Sequence, residues 1–90
     1  MKERRFKIGY VSMNVAASWG KELGDQINEA VPDEAIVLKQ HEDFYRASIA
    51  ILIYHPNFPI IADGEKVPKT ILDIKAKEKE DKKVILHYNH

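Results

Sequence analysis

Arg46 follows Phe44 and Tyr45, and it is the only arginine beyond residue 5. A guanidinium presents a planar fork of donors that matches phosphate or carboxylate oxygens, a geometry lysine lacks. Rings beside it can stack a base or a sugar, so Phe44, Tyr45 and Arg46 form one candidate ligand cluster, and Tyr54, His55 and Phe58 form a second. Trp19 lies near the start of the helical pattern that follows the first strand. The competing reading places Phe44, Tyr54 and Trp19 in the core. A third feature is the run Ser12-Met13-Asn14, where a strand gives way to a helix whose first amides favour an anion. Asn14 is the expected N-cap there, with Ser18 close behind. The candidate ligand-binding set is therefore Asn14, Ser18, Trp19, Tyr45, Arg46, Tyr54 and His55.

Other chemistries find weaker support. Gly20-Lys21 lacks the earlier glycine and the following Ser/Thr of a phosphate loop, and no Gly-x-Gly-x-x-Gly occurs. Cysteine is absent, which removes thiolate metal sites, disulfides and a cysteine nucleophile. His87, in an expected strand over 84–88, and His90, three residues on at the terminus, would point to opposite sides, whereas His41 and His55 end neighbouring strands. No recognised ligand spacing links them, so neither metal nor cofactor is expected. Glu42 and Asp43 are adjacent, which on a strand sends the carboxylates to opposite faces and defeats paired acid–base work. A small hydrolase using His41 or His55 is the second alternative, since no serine sits in a nucleophile-elbow pattern.

These residues need elements to position them. Residues 6–13 read as a strand with Phe6, Ile8 and Tyr10 on one face. Ala16, Trp19, Leu23, Ile27 and Ala30 recur at spacings of three and four, predicting a helix that ends near Val31, before Pro32. Ala16, Gly20 and Gly24 make a narrow stripe suggesting close packing against the sheet. Residues 35–41 become polar along their length, as an edge strand does. The nearly continuous apolar run 48–55 reads as the central strand. Three prolines in 56–68 predict a stiff, irregular loop, long enough to be functional. Residues 69–77 fit either an amphipathic strand, giving a terminal hairpin with 84–88, or a helix, giving the ferredoxin-like order βαββαβ. The hairpin is favoured, because the helix would have little to bury. The fold class is thus a single α+β domain over 1–90, with a small antiparallel or mixed sheet and one main helix.

Fourteen basic residues balance fourteen acidic ones, which argues against global electrostatic attachment to nucleic acid. An RNA-recognition domain is disfavoured as well, because the apolar run Ile49-Ala50-Ile51-Leu52-Ile53 lacks the stacking aromatics expected of its third strand. The balance hides segregation: residues 1–7 and 66–83 each carry a net +3, and residues 22–43 a net −6. No apolar stretch of signal or membrane length occurs, so the chain is read as cytoplasmic, without a membrane partner. The functional expectation is a non-enzymatic binding protein that holds or sequesters a small anionic ligand such as a nucleotide. A homo-oligomer is expected, since one helix leaves a sheet face uncovered. The short chain, free of enzymatic motifs, also suits a phage-type accessory protein directed against host defence. The alternative is an inhibitor or protein–protein module acting through Phe58, Ile60 and Ile61 of the proline-rich loop.

Overall fold

The computed structural model describes residues 3–78. Strand β1 (Phe6–Ser12) passes directly into helix α1 (Met13–Trp19), and a 3-10 turn over Gly20–Glu22 joins that helix to α2 (Leu23–Ala30). Strands β2 (Ile36–Asp43) and β3 (Ser48–Tyr54) form a hairpin, and β4 (Lys69–Ile71) follows the proline-rich loop. The sheet order is β2-β3-β1-β4. β3 runs antiparallel to both neighbours, and β1 runs parallel to β4. This is a small α+β fold with a mixed sheet, one main helical stretch, β3 inside the sheet and β2 at an edge, as the sequence predicts.

Alternation along the strands divides the sheet into two faces. Val11 of β1 and Ile51 and Ile53 of β3 point toward the helices, where they are buried with Ile27 of α2 and Leu72. Val15, Ala16 and Leu23 close over them. Each such side chain contributes about 1.5–3 kcal/mol of burial, which makes this the stabilising side of the sheet.

Three local expectations are corrected. Ser12, not Asn14, caps α1, because its Oγ accepts the Val15 amide at 3.2 Å. The helix is broken at Gly20, whose φ of 55° and ψ of −123° lie outside every conformation an L-residue adopts readily. Neither Gly20 nor Gly24 has an atom within 4 Å of where a Cβ would stand, so the small-residue stripe serves that break and not close packing. Close approach occurs instead at Gly9, where a Cβ would lie 2.8 Å from Leu72 Cγ.

That approach explains why residues 69–77 form neither a helix nor a full strand. The amide of Ile8 donates to Pro68 O and that of Leu72 to Tyr10 O, so the backbone pairs with the β1 edge and Leu72 drops into the space over Gly9. Pairing ends at Ile71. Beyond it, Trp19 Nε1 donates to Lys75 O at 2.7 Å, the Lys77 amide donates to Ser18 Oγ at 2.9 Å, and Lys77 Nζ pairs with Glu22. Side chains of the helical layer thus hold 72–77 as an extended strap. The ferredoxin-like order is overturned, since β4 is reached by a loop and lies parallel to β1. The expected second hairpin strand, 84–88, and with it His87 and His90, lies outside the described residues.

One irregularity sets the outward face of β2. Its register jumps from Val37 opposite Ile53 to Lys39 opposite Leu52, leaving Leu38 as a surplus residue. Such a bulge, with an edge lysine beside it, discourages pairing with another strand.

Candidate functional site

The sheet face away from the helices carries cross-strand rows fixed by the register, ending in Asp43, Ser48 and Ser12 after three others. Ile36, Tyr54 and Phe6 make one; Lys39, Leu52, Ile8 and Lys69 the next; His41, Ala50, Tyr10 and Ile71 the third. Ala50 is the short side chain among longer ones, and it forms the floor of an apolar depression of about 170 Å³ lined by Ile8, Leu52, Lys39 and His41. Ala50 itself is only 3% exposed, because its neighbours rise around it. A dry cavity of about 150 Å³ holds benzene, so the depression has the size of one aromatic ring.

Arg46 reaches this face from the β2–β3 turn. Its guanidinium lies 5.2 Å from the centre of the Tyr10 ring and 3.2 Å from Asp43 Oδ2. The turn is closed by Arg46 and Ala47 amides donating to Asp43 O and Phe44 O, with Ala47 at φ 50°. Burial pushes the Asp43 carboxyl up, but the Arg46 amide, the Arg46 guanidinium and the Tyr45 amide outweigh it and hold the group below its ordinary 3.8. A second aromatic station stands at the far end of the face, where the rings of Phe6 and Tyr54 meet edge-on at 6.0 Å. By register, the acidic residue on this face is Asp43, already tied to Arg46. Lys39, Lys69, His41 and Arg46 leave the rim basic.

Of the residues singled out from sequence, Arg46, Tyr54 and His41 belong to this face. The others are dispersed. Phe44 and Tyr45, at 76% and 99% exposure, project from the turn, so Phe44 is not core. Asn14 is exposed on α1. Ser18 and Trp19 hold the strap, with Ser18 Oγ also donating to Val15 O at 2.6 Å. His55 is buried; its Nε2 donates to Asp33 O at 2.8 Å and its Nδ1 accepts the Asn57 amide at 2.9 Å, which occupies both nitrogens. It is a structural clamp between the α2–β2 turn and the loop.

The loop itself is folded down. Ile61 is 5% exposed, its amide donating to Arg4 O, while Phe58 packs against the core beneath Lys7 and its carbonyl accepts from Arg5 Nη1 at 2.7 Å. Only Ile60 of the three expected interface residues is exposed. Residues missed by sequence reasoning are Ile8, Tyr10, Lys39, Ala50, Leu52 and Lys69. The signal for part of the set was present: Phe6, Ile8 and Tyr10 alternate on one side of a strand, and Ala50, Leu52 and Tyr54 do so on its partner. Among the described residues no group of three His, Asp or Glu side chains is placed to hold a metal, and no helix is long and apolar enough to cross a membrane. Comparison with known protein families, curated proteins and solved structures found no match.

Proposed function

We propose that the open sheet face binds a small anionic aromatic ligand of the nucleotide class and holds it without transforming it. The observation that carries this reading is the ring-sized apolar depression over Ala50, walled by Ile8 and Leu52, with Lys39 and His41 at its lip. Arg46, over the neighbouring Tyr10, adds a guanidinium to the Lys39 ammonium. A ring seated on Ala50 exchanges water for apolar walls, and its phosphate meets the basic rim. The basic rim also weighs against covering the face with a second copy, because a self-complementary contact would set Lys39, Lys69 and Arg46 against their own kind. Of the two histidines a hydrolase could use, His55 is committed, since both its nitrogens are occupied in holding the fold, whereas His41 stands at the lip of the depression. Sequestration of a nucleotide is the role this chemistry serves.

Calorimetric titration with adenosine, guanosine, uridine and cytidine monophosphates tests the proposal. Ala50→Leu, which fills the depression, is expected to weaken binding at least tenfold while the circular dichroism spectrum is unchanged. Arg46→Ala is expected to weaken phosphate-bearing ligands more than the free nucleosides. Absence of binding at millimolar concentration, or unchanged binding by Ala50→Leu, overturns it.

A further inference from the structure

We infer that the same face accommodates a single-stranded nucleic acid of at least two nucleotides, with bases on both aromatic stations; the inference rests on the ligand reading above and extends it from a monomer to a polymer. Tyr10 and Phe6 are four residues apart on β1, so the stations stand about 13 Å from one another at roughly 3.3 Å per residue. One ring cannot reach both. In the register, the depression covers the Leu52–Ile8 row between them and reaches Ala50 beside Tyr10. Stations repeated along a strand suit a ligand that repeats an aromatic unit on an anionic chain.

The charges agree with that occupant. The middle row begins with Lys39 on the β2 edge and ends with Lys69 on the β4 edge, so cations flank the apolar centre on both sides. Arg46 adds a guanidinium at the Tyr10 station. Aromatic rings that stack bases, set within a positive border that follows the phosphates, are what sequence-tolerant single-strand binding requires. A duplex would hide its base faces and gain only the phosphate contacts. The absence of aromatics from residues 49–53, which argued against nucleic acid in the sequence, is answered by β1 and by Tyr54 at the end of β3.

Fluorescence anisotropy with labelled oligouridylate of two, four and six nucleotides, and competition by uridine monophosphate, provides the test on the full chain. The tetranucleotide is expected to bind at least tenfold more tightly than the monophosphate, and a blunt duplex of equal length more weakly than the single strand. Three phosphate contacts predict a log–log salt slope of about −2. Tyr10→Ala and Phe6→Ala are each expected to lose about fivefold to a hundredfold for the tetranucleotide. Because those rings are half-buried, Lys39→Glu and Lys69→Glu provide exposed variants that should lower both affinity and salt slope, with Lys21→Glu on the helical side as an unchanged control. If the monophosphate binds and the tetranucleotide binds no more tightly, the polymer inference is overturned and the ligand reading stands. If neither binds, both fall.

Discussion

Adding a single methyl group at Gly9 probes how β4 is held, and through β4 the position of Lys69 and Ile71 on the open face. A Cβ there would stand 2.8 Å from Leu72 Cγ and 2.9 Å from one of its methyl carbons, well inside van der Waals contact. Leu72 is itself buried in the core cluster, so relieving the contact must displace a packed side chain. Overpacking of this kind costs about 1–3 kcal/mol. Expulsion of the leucine costs a similar amount, about 1.5–3 kcal/mol of lost burial. Leu72→Ala alone removes the same side chain and leaves a cavity, at about 2–5 kcal/mol. In the double variant, Gly9→Ala with Leu72→Ala, the added methyl points into the vacated room, so the two losses should fall short of their sum by about 0.5–3 kcal/mol. A domain of this size is expected to have about 5–13 kcal/mol in hand, so each variant still folds in water. Urea unfolding followed by the fluorescence of Trp19, the only tryptophan, reports each value. With a slope of about 1–3 kcal/mol per molar urea, a 2 kcal/mol loss moves the midpoint by roughly 1 M. Strict additivity, or a Gly9→Ala midpoint equal to that of the parent, would refute the packing of Leu72 over Gly9.

Three further outcomes are expected. His55→Ala removes the hydrogen bonds to Asp33 and Asn57 and should destabilise the domain by about 2–4 kcal/mol, with faster proteolysis inside 56–68; an unchanged midpoint would show that the ring is not the clamp. Ala47→Gly relieves a left-handed residue in the β2–β3 turn and should raise the urea midpoint by the equivalent of about 0.5–1 kcal/mol, a gain that Ala47→Val must reverse. Asp43 has a folded value held below its unfolded one, so its contribution is complete above about pH 4 and is lost as pH falls through the folded value. Replacement by Asn should therefore lower stability in the neutral region, where that contribution is complete, and flatten the acid limb, so that the two profiles converge at low pH; an identical acid limb in D43N contradicts the Arg46 contacts.

How much of this was legible in the sequence depends on the range of the interactions concerned. The strand at 48–54 and the apolar side of the helix follow from local period, and both are where the pattern puts them. Arg46 was recognised by residue type, but its aromatic neighbour was misjudged. Phe44 and Tyr45 adjoin it in sequence, yet a four-residue turn throws them outward and folds the guanidinium over Tyr10, thirty-six positions away. The lysine-rich stretch after β4 has helix propensity, which is overridden by the room over Gly9 and by three side chains of the helical layer. Ser18, Trp19 and His55 look like ligand groups because their polar atoms suit that work. Nothing local announces that a distant backbone carbonyl or amide already claims them.

Leu38 shows how small a change can invert the electrostatics of a surface. Were β2 to pair with β3 as an unbroken ladder from Ile36 onward, Leu38 would stand opposite Leu52 and Gln40 opposite Ala50, with Glu42 following on the same side. The extra residue advances the strand by half a period, turning the glutamate toward the helices and bringing Lys39 and His41 out in its place. The polarity of the receptor is therefore written in strand phase as much as in residue identity, and insertion or loss of a single position near the start of β2 is the shortest route by which a descendant of this fold could exchange anionic ligands for cationic ones.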